Sequence, residues 1–185
     1  MKTSLTNWMS WESGVDLVAA TAPGLAMPNV IVHLARLVHT PAGSAASGMV
    51  FYQPDPAAAP IVMGFVSQHA EVGRYFGPKI FAGTPFEQAP VLDAKIEIKL
   101  TPTYVSATVT TGGNELHTRL EGLAAPGLIQ REPAPMTPFW QQGIEAAAAY
   151  ARFWFNGKEV TIITPPMGIS GGPAAVYAPA GLYAR

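Results

Sequence analysis

The sequence predicts a mainly β domain, an antiparallel barrel or closed β-sandwich with one or two short helices. Three observations predict it. Eighteen glycines and eighteen prolines interrupt the 185 residues at short intervals, which suits many short strands joined by turns. Lys95-Ile96-Glu97-Ile98-Lys99-Leu100 alternates charge and hydrophobe with a period of two, as a strand with one wet and one buried face requires. Asn156-Gly157 stands between two short apolar runs, the strongest short-range signal for a hairpin turn.

Taken in order, residues 30–38 are dominated by β-branched and aliphatic side chains and read as a strand, with 49–53 as its partner beyond a small-residue stretch. Residues 54–60 read as a loop. Strand 61–67 leads into a glycine- and proline-rich segment, 73–90. Strands 95–100, 104–110 and 115–123 follow, turned by Thr101-Pro102-Thr103 and Gly112-Gly113-Asn114 into an antiparallel meander. Thr137-Pro138, a capping residue followed by proline, opens a predicted helix through an alanine-rich stretch toward Tyr150. The hairpin of 153–155 and 159–163 limits its far end. No repeat or heptad pattern is present, and residues 1–185 read as a single domain large enough to bury a core without covalent staples.

Composition narrows the classes of function. Charged residues are 12% of the chain, against about 25% in an average soluble domain, while apolar residues reach 49% and mean hydropathy is +0.20. Some surface is therefore expected to be covered by a partner, and a second copy is the commonest one, so a dimer or larger homo-oligomer is expected. A net charge of -1 with scattered lysines and arginines offers no basic stripe, so no nucleic acid is expected. The absence of cysteine excludes disulfides, thiolate metal sites, iron–sulfur clusters and cysteine nucleophiles. It fits a reducing compartment. The segment from Lys2 to Glu12 lacks the apolar block of a secretory leader, and apolar runs such as 30–34 and 146–149 are too short to span a bilayer. The expectation is a cytoplasmic protein with no membrane span.

Candidate chemistry lies in three places. No phosphate-binding loop, dinucleotide fingerprint, nucleophile elbow or paired helical histidines occur, and no cofactor is expected. The four histidines are His33, His39, His69 and His117. In an extended strand the first two stand roughly 20 Å apart, so no metal is expected, and each histidine reads as singly hydrogen-bonded at a strand end. His117, Arg119 and Glu121 alternate with apolar residues and share one strand face. They read as the wet face of a sheet or as a substrate-binding row in a polar barrel interior. Lys79 is set between Gly77-Pro78 and the hydrophobes Ile80 and Phe81. A lysine in apolar surroundings loses solvation of its ammonium, which frees the amine as a nucleophile; Arg74 nearby suits a substrate carboxylate, and Phe81 is expected to touch the substrate. The alternative is a stem packed over a turn with its head in water.

Gly73-Arg74 followed by Gly77-Pro78-Lys79, with Ala82 and Pro85 beyond, resembles the acetoacetate decarboxylase-like superfamily across residues 60–111. The resemblance implies a β-barrel in which Lys79 forms a Schiff base with a keto acid or related oxo-metabolite, Arg74 orienting it. Ile80 stands where that family has a second lysine, and no acidic residue occurs in 40–48, where it has a glutamate. The implied enzyme is thus a Schiff-base-forming lyase, decarboxylase-like or carrying out an aldol or cyclisation reaction. The alternative is a non-catalytic β-barrel that binds an apolar small metabolite, with Phe139, Trp140, Phe153, Trp154 and Phe155 as pocket wall or plain core. A scaffold with no ligand is the third reading.

Overall fold

Short apolar runs between glycine and proline turns become strands almost throughout. A computed structural model describes residues 6–185; Lys2 lies outside the described residues. The strands are β1 (Trp8–Ala19), β2 (Val30–Thr40), β3 (Gly43–Tyr52) and β4 (Val62–Ser67). A helix α1 (Ala70–Tyr75) then runs into one π-helical turn, Phe76–Ile80. There follow β5 (Val91–Asp93), β6 (Lys95–Leu100), β7 (Tyr104–Thr111), β8 (Asn114–Leu123), β9 (Gly127–Arg131), β10 (Trp140–Phe155), β11 (Lys158–Val160) and β12 (Ala175–Ala184).

The sheet runs β5-β4-β3-β2-β1-β12-β10-β8-β7-β6 in space, with β9 and β11 added to β10. Every pairing is antiparallel except β4 with β5. The two end strands, β5 and β6, are consecutive in the chain and separated only by Ala94. The path therefore bends back on itself into a nearly closed barrel. Val32, Val50, Val105, Leu116 and Phe153 fill its interior, and Tyr52 meets Phe153 across it at 5.3 Å between ring centroids. A second core lies on the outer face of the β1–β4 and β12 half, where Met9, Phe65, Phe76, Phe81, Phe139 and Tyr183 pack beneath α1 and the π-turn.

On β1, Met9 and Trp11 belong to the outer core but Val15 and Leu17 to the inner one, although all four are odd-numbered. Strict alternation is broken at Ser13, whose φ of 54° is the left-handed conformation that turns the strand over. This turn is what brings Asp16 onto the same face as Trp11. Asn156 and Gly157, with φ of 49° and 75°, form the expected hairpin turn between β10 and β11.

The predicted helix at 137–150 is not there; from Trp140 onward the stretch belongs to the sixteen-residue strand β10. Alanine's helical preference amounts to a few tenths of a kcal/mol per residue. Here it loses to pairing on both edges, β12 on one side and β8 with β9 on the other. Small side chains also suit the site, since a Cβ at Gly143 would stand 2.7 Å from the Ala180 carbonyl oxygen. Among the described residues, no helix is long and apolar enough to cross a membrane.

Candidate functional site

The site residues named from the sequence fall in three separate places. Lys79 is on the π-turn and exposed, whereas Phe76, Gly77, Ile80 and Phe81 around it are buried. The apolar surroundings read from the sequence belong to its neighbours; the turn directs those inward and Pro78-Lys79 outward. Arg74, in the last turn of α1, is exposed and ion-paired with Glu71. Phe81 is buried in the outer core, 5.7 Å from Phe65 and 5.4 Å from Phe139 between ring centroids.

His117, Arg119 and Glu121 do share one face of β8. His117 Nδ1 is 2.8 Å from the Thr108 hydroxyl, and its ring is 5.0 Å from that of Trp154. Arg119 stacks 4.0 Å above Tyr104, and its Nε lies 2.7 Å from Glu121 Oε1, an ionic contact without hydrogen-bond alignment. Burial lowers the His117 pKa below its ordinary 6.5; Arg119 acts the same way and Glu115 opposes it. The row is about one-third exposed and contributes to no cavity described below.

A different cluster forms where β2, β1, β12, β10 and β9 lie side by side. Asp16 and His33 are cross-strand partners on β1 and β2, and Gln141 on β10 is the partner of both Tyr183 on β12 and Arg131 on β9. Side chains remote in sequence therefore meet on one sheet face. His33 Nδ1 is 3.6 Å from Asp16 Oδ1, an ionic contact too long for a hydrogen bond. The His33 and Tyr183 rings are nearly parallel, 16° apart, with centroids separated by 6.3 Å. Arg131 grips Glu145 with two hydrogen bonds of 2.6 Å, and Gln141 Nε2 donates to the same carboxylate at 3.2 Å.

Electrostatics follow from that geometry. Burial works against the imidazolium of His33, but the Asp16 carboxylate and, more weakly, Glu145 outweigh it and raise its pKa above 6.5. Burial, with the Asp16 and Glu145 charges added, pushes the Tyr183 phenol far up, so it stays a neutral donor. The Glu145 bond raises Arg131 further and keeps it charged. Trp11 packs against Tyr183 at 4.6 Å between centroids, in space that Gly181 leaves open: a Cβ there would collide with the indole.

Three cavities lie in a row at this cluster, each sharing wall residues with the next. The inner one, about 20 Å³, is lined by Asp16, His33, Glu145 and Tyr183 together with Trp11 and Phe76. It has the size of a single water. The middle one, about 30 Å³, shares Asp16, His33 and Tyr183 with the inner and adds Phe81 and Phe139. The outer one, about 340 Å³, shares Val18, Ile31 and Ile169 with the middle and is otherwise walled by apolar residues including Phe51, Phe86 and Met136. Met27 and Met167, at its mouth, are 67% and 60% exposed. The outer cavity thus lies outside the barrel interior, between β1, β2 and β3 and the loops that carry Met27, Phe86, Met136 and Met167.

No family model matches the chain, and no curated protein does. Among solved structures, a crystal structure of acetoacetate decarboxylase from Legionella pneumophila subsp. pneumophila str. Philadelphia 1 is similar over 100% of this chain and 90% of that one, with 11% identity and a TM-score of 0.39. The comparison assigns no role to any residue here. Among the described residues, no three histidine, aspartate or glutamate side chains converge as metal ligands. The sequence reading passed over Asp16 and the Glu145–Arg131 pair. The signal was an ionisable residue inside an otherwise apolar strand run, as in Val15-Asp16-Leu17-Val18 and Val32-His33-Leu34.

Proposed function

We propose that the chain binds a small molecule with an apolar body and an uncharged polar end. The carrying observation is the polarity gradient: an apolar outer cavity of about 340 Å³ that narrows toward a water-sized chamber holding Asp16, His33 and Tyr183. Pockets of this size and lining take drug-sized ligands, with a few polar groups fixing orientation. The charges choose the head group. Arg131 is taken up by Glu145 and His33 faces Asp16, so an incoming carboxylate meets two fixed carboxylates and no unpaired cation. A carbonyl or hydroxyl oxygen, by contrast, can accept the hydrogen bond that Tyr183 offers.

Tryptophan fluorescence tests this, because Trp11 lines the inner chamber. Methyl nonyl ketone should shift the emission of the protein and lose that effect in Trp11→Phe. Decanoate, of similar length but anionic, should bind about tenfold more weakly or worse, a difference of about 1.4 kcal/mol. The experiment also separates this reading from imine chemistry at Lys79, whose exposed amine has no enclosed site around it. Lys79→Ala should leave the titration unchanged, and borohydride with a keto acid should leave the mass unchanged. Equal binding of decanoate, or a reduced adduct at Lys79, overturns the reading.

A further inference from the structure

We propose that the inner chamber is a proton-transfer site, where His33 removes a proton from the carbon beside a ligand carbonyl while Tyr183 donates to the carbonyl oxygen. This rests on the ligand-binding reading above and names its substrate class, an enolisable ketone or aldehyde with an apolar body.

Three features carry it. Tyr183 is 4% exposed, and among the described residues no hydrogen bond takes up its hydroxyl, although it lines both the inner and the middle chamber. The hydroxyl oxygen is not among the fully buried atoms left without a partner, so it opens onto accessible space where a water or a ligand oxygen can accept from it. Second, His33 lines the same two chambers and keeps 25% of its side-chain surface accessible there. Asp16 stands at Nδ1, which favours the tautomer with its proton on that nitrogen and leaves the lone pair of Nε2 for a substrate proton. Third, the remaining polar groups are occupied with one another: Glu145 accepts from Arg131 and Gln141. With Asp16 standing at Nδ1, His33 Nε2 and the Tyr183 hydroxyl are left open to a ligand.

The step balances without an outside reactant. His33 Nε2 takes the α-proton, the C–H pair becomes a C=C bond, and the carbonyl π pair moves to oxygen, where the resulting enolate accepts the hydrogen bond that neutral Tyr183 donates. In reverse, the enolate oxygen returns its pair to the C=O bond, the C=C pair moves back to the α-carbon, and the imidazolium returns the proton there. If the imidazolium exchanges with solvent in between, the ligand carbon acquires a solvent hydrogen. His33 and Tyr183 are the catalytic residues; Asp16 is a positioning residue. The ionisable groups facing His33 are Asp16 on β1, Glu145 on β10 and Tyr183 on β12, with Arg131 on β9 held by Glu145, while β3 presents Ser47 and Met49 and the π-turn presents Phe76.

Methyl nonyl ketone in D2O provides the test, with loss of the proton signals beside the carbonyl followed by NMR and binding followed separately through Trp11. The intact protein should speed exchange about a hundredfold over His33→Gln, the low end of what a positioned base contributes. Tyr183→Phe should slow exchange while still binding. Exchange should rise with pH as His33 loses its proton, and Asp16→Asn should move the midpoint down by removing the carboxylate that holds it up. Ketone that binds without exchange above the His33→Gln background overturns the proton-transfer site alone. Ketone that fails to bind overturns the ligand-binding reading and this inference together. A midpoint unmoved in Asp16→Asn overturns the role of Asp16.

Discussion

The β8 row and the β1–β2 cluster are both built from charged residues and a histidine, yet only the second lines a cavity. On β8, His117, Arg119 and Glu121 share a wet face, with Arg119 about one-third exposed and already stacked on Tyr104. Across β1 and β2, Asp16 and His33 line small chambers walled also by Phe76 of the π-turn and by Phe81, at the narrow end of an apolar cavity. Water screens most of the first row, although Arg119 Nε is buried without a hydrogen-bond partner. The second has a cover layer in its place, so each unmet hydrogen bond there is available to a ligand. A polar residue signals function by what covers it as much as by what it is.

Mutations should expose this contrast in stability. Glu145→Ala strips the partner from Arg131, whose side chain is 20% exposed, and should cost about 3 kcal/mol in urea unfolding, as breaking a buried pair does. A loss under 1 kcal/mol would show that the cover does not exclude water.

The pH dependence of stability is the next largest effect, and the two histidines should act with opposite sign. His33 has a raised folded-state pKa. Its stabilisation is complete below 6.5 and is lost as pH rises through the raised value. His117 has a lowered one, so its neutral form stabilises the fold above 6.5 and that contribution fades as pH falls below. Melting temperatures scanned from about pH 5 to 8 should therefore tilt in opposite directions in His33→Gln and His117→Gln. Parallel curves would erase the distinction between the regions. Smallest of all, Glu121→Ala should change unfolding free energy by less than about 1 kcal/mol, since its ion pair is partly solvated.

Much of the fold was legible because it rests on local patterns. The period-two run at Lys95–Leu100 and the Asn156-Gly157 turn specify strand and hairpin without reference to the rest of the chain. Strand β10 was not legible. Alanine carries a helical preference, and only the flanking strands decide otherwise, β12 setting Val176 beside Ala147 and β8 setting Leu120 beside Ala151. Strand β1 was hidden by the reversal at Ser13, which breaks the alternation that would have marked it. The site was harder still. Phe81 was named and lines the middle chamber, but Asp16, His33, Glu145 and Tyr183 come together only through the register of four strands. Lys79 drew attention through apolar neighbours that a turn then separated from its amine.

The most direct measurement is a crystal structure of the protein soaked with methyl nonyl ketone. The account predicts density for the alkyl chain among Phe51, Phe86 and Met167, with the carbonyl oxygen at hydrogen-bond distance from Tyr183 and its α-carbon facing His33. An inner chamber left empty, with ligand only at the surface near Lys79, would contradict it.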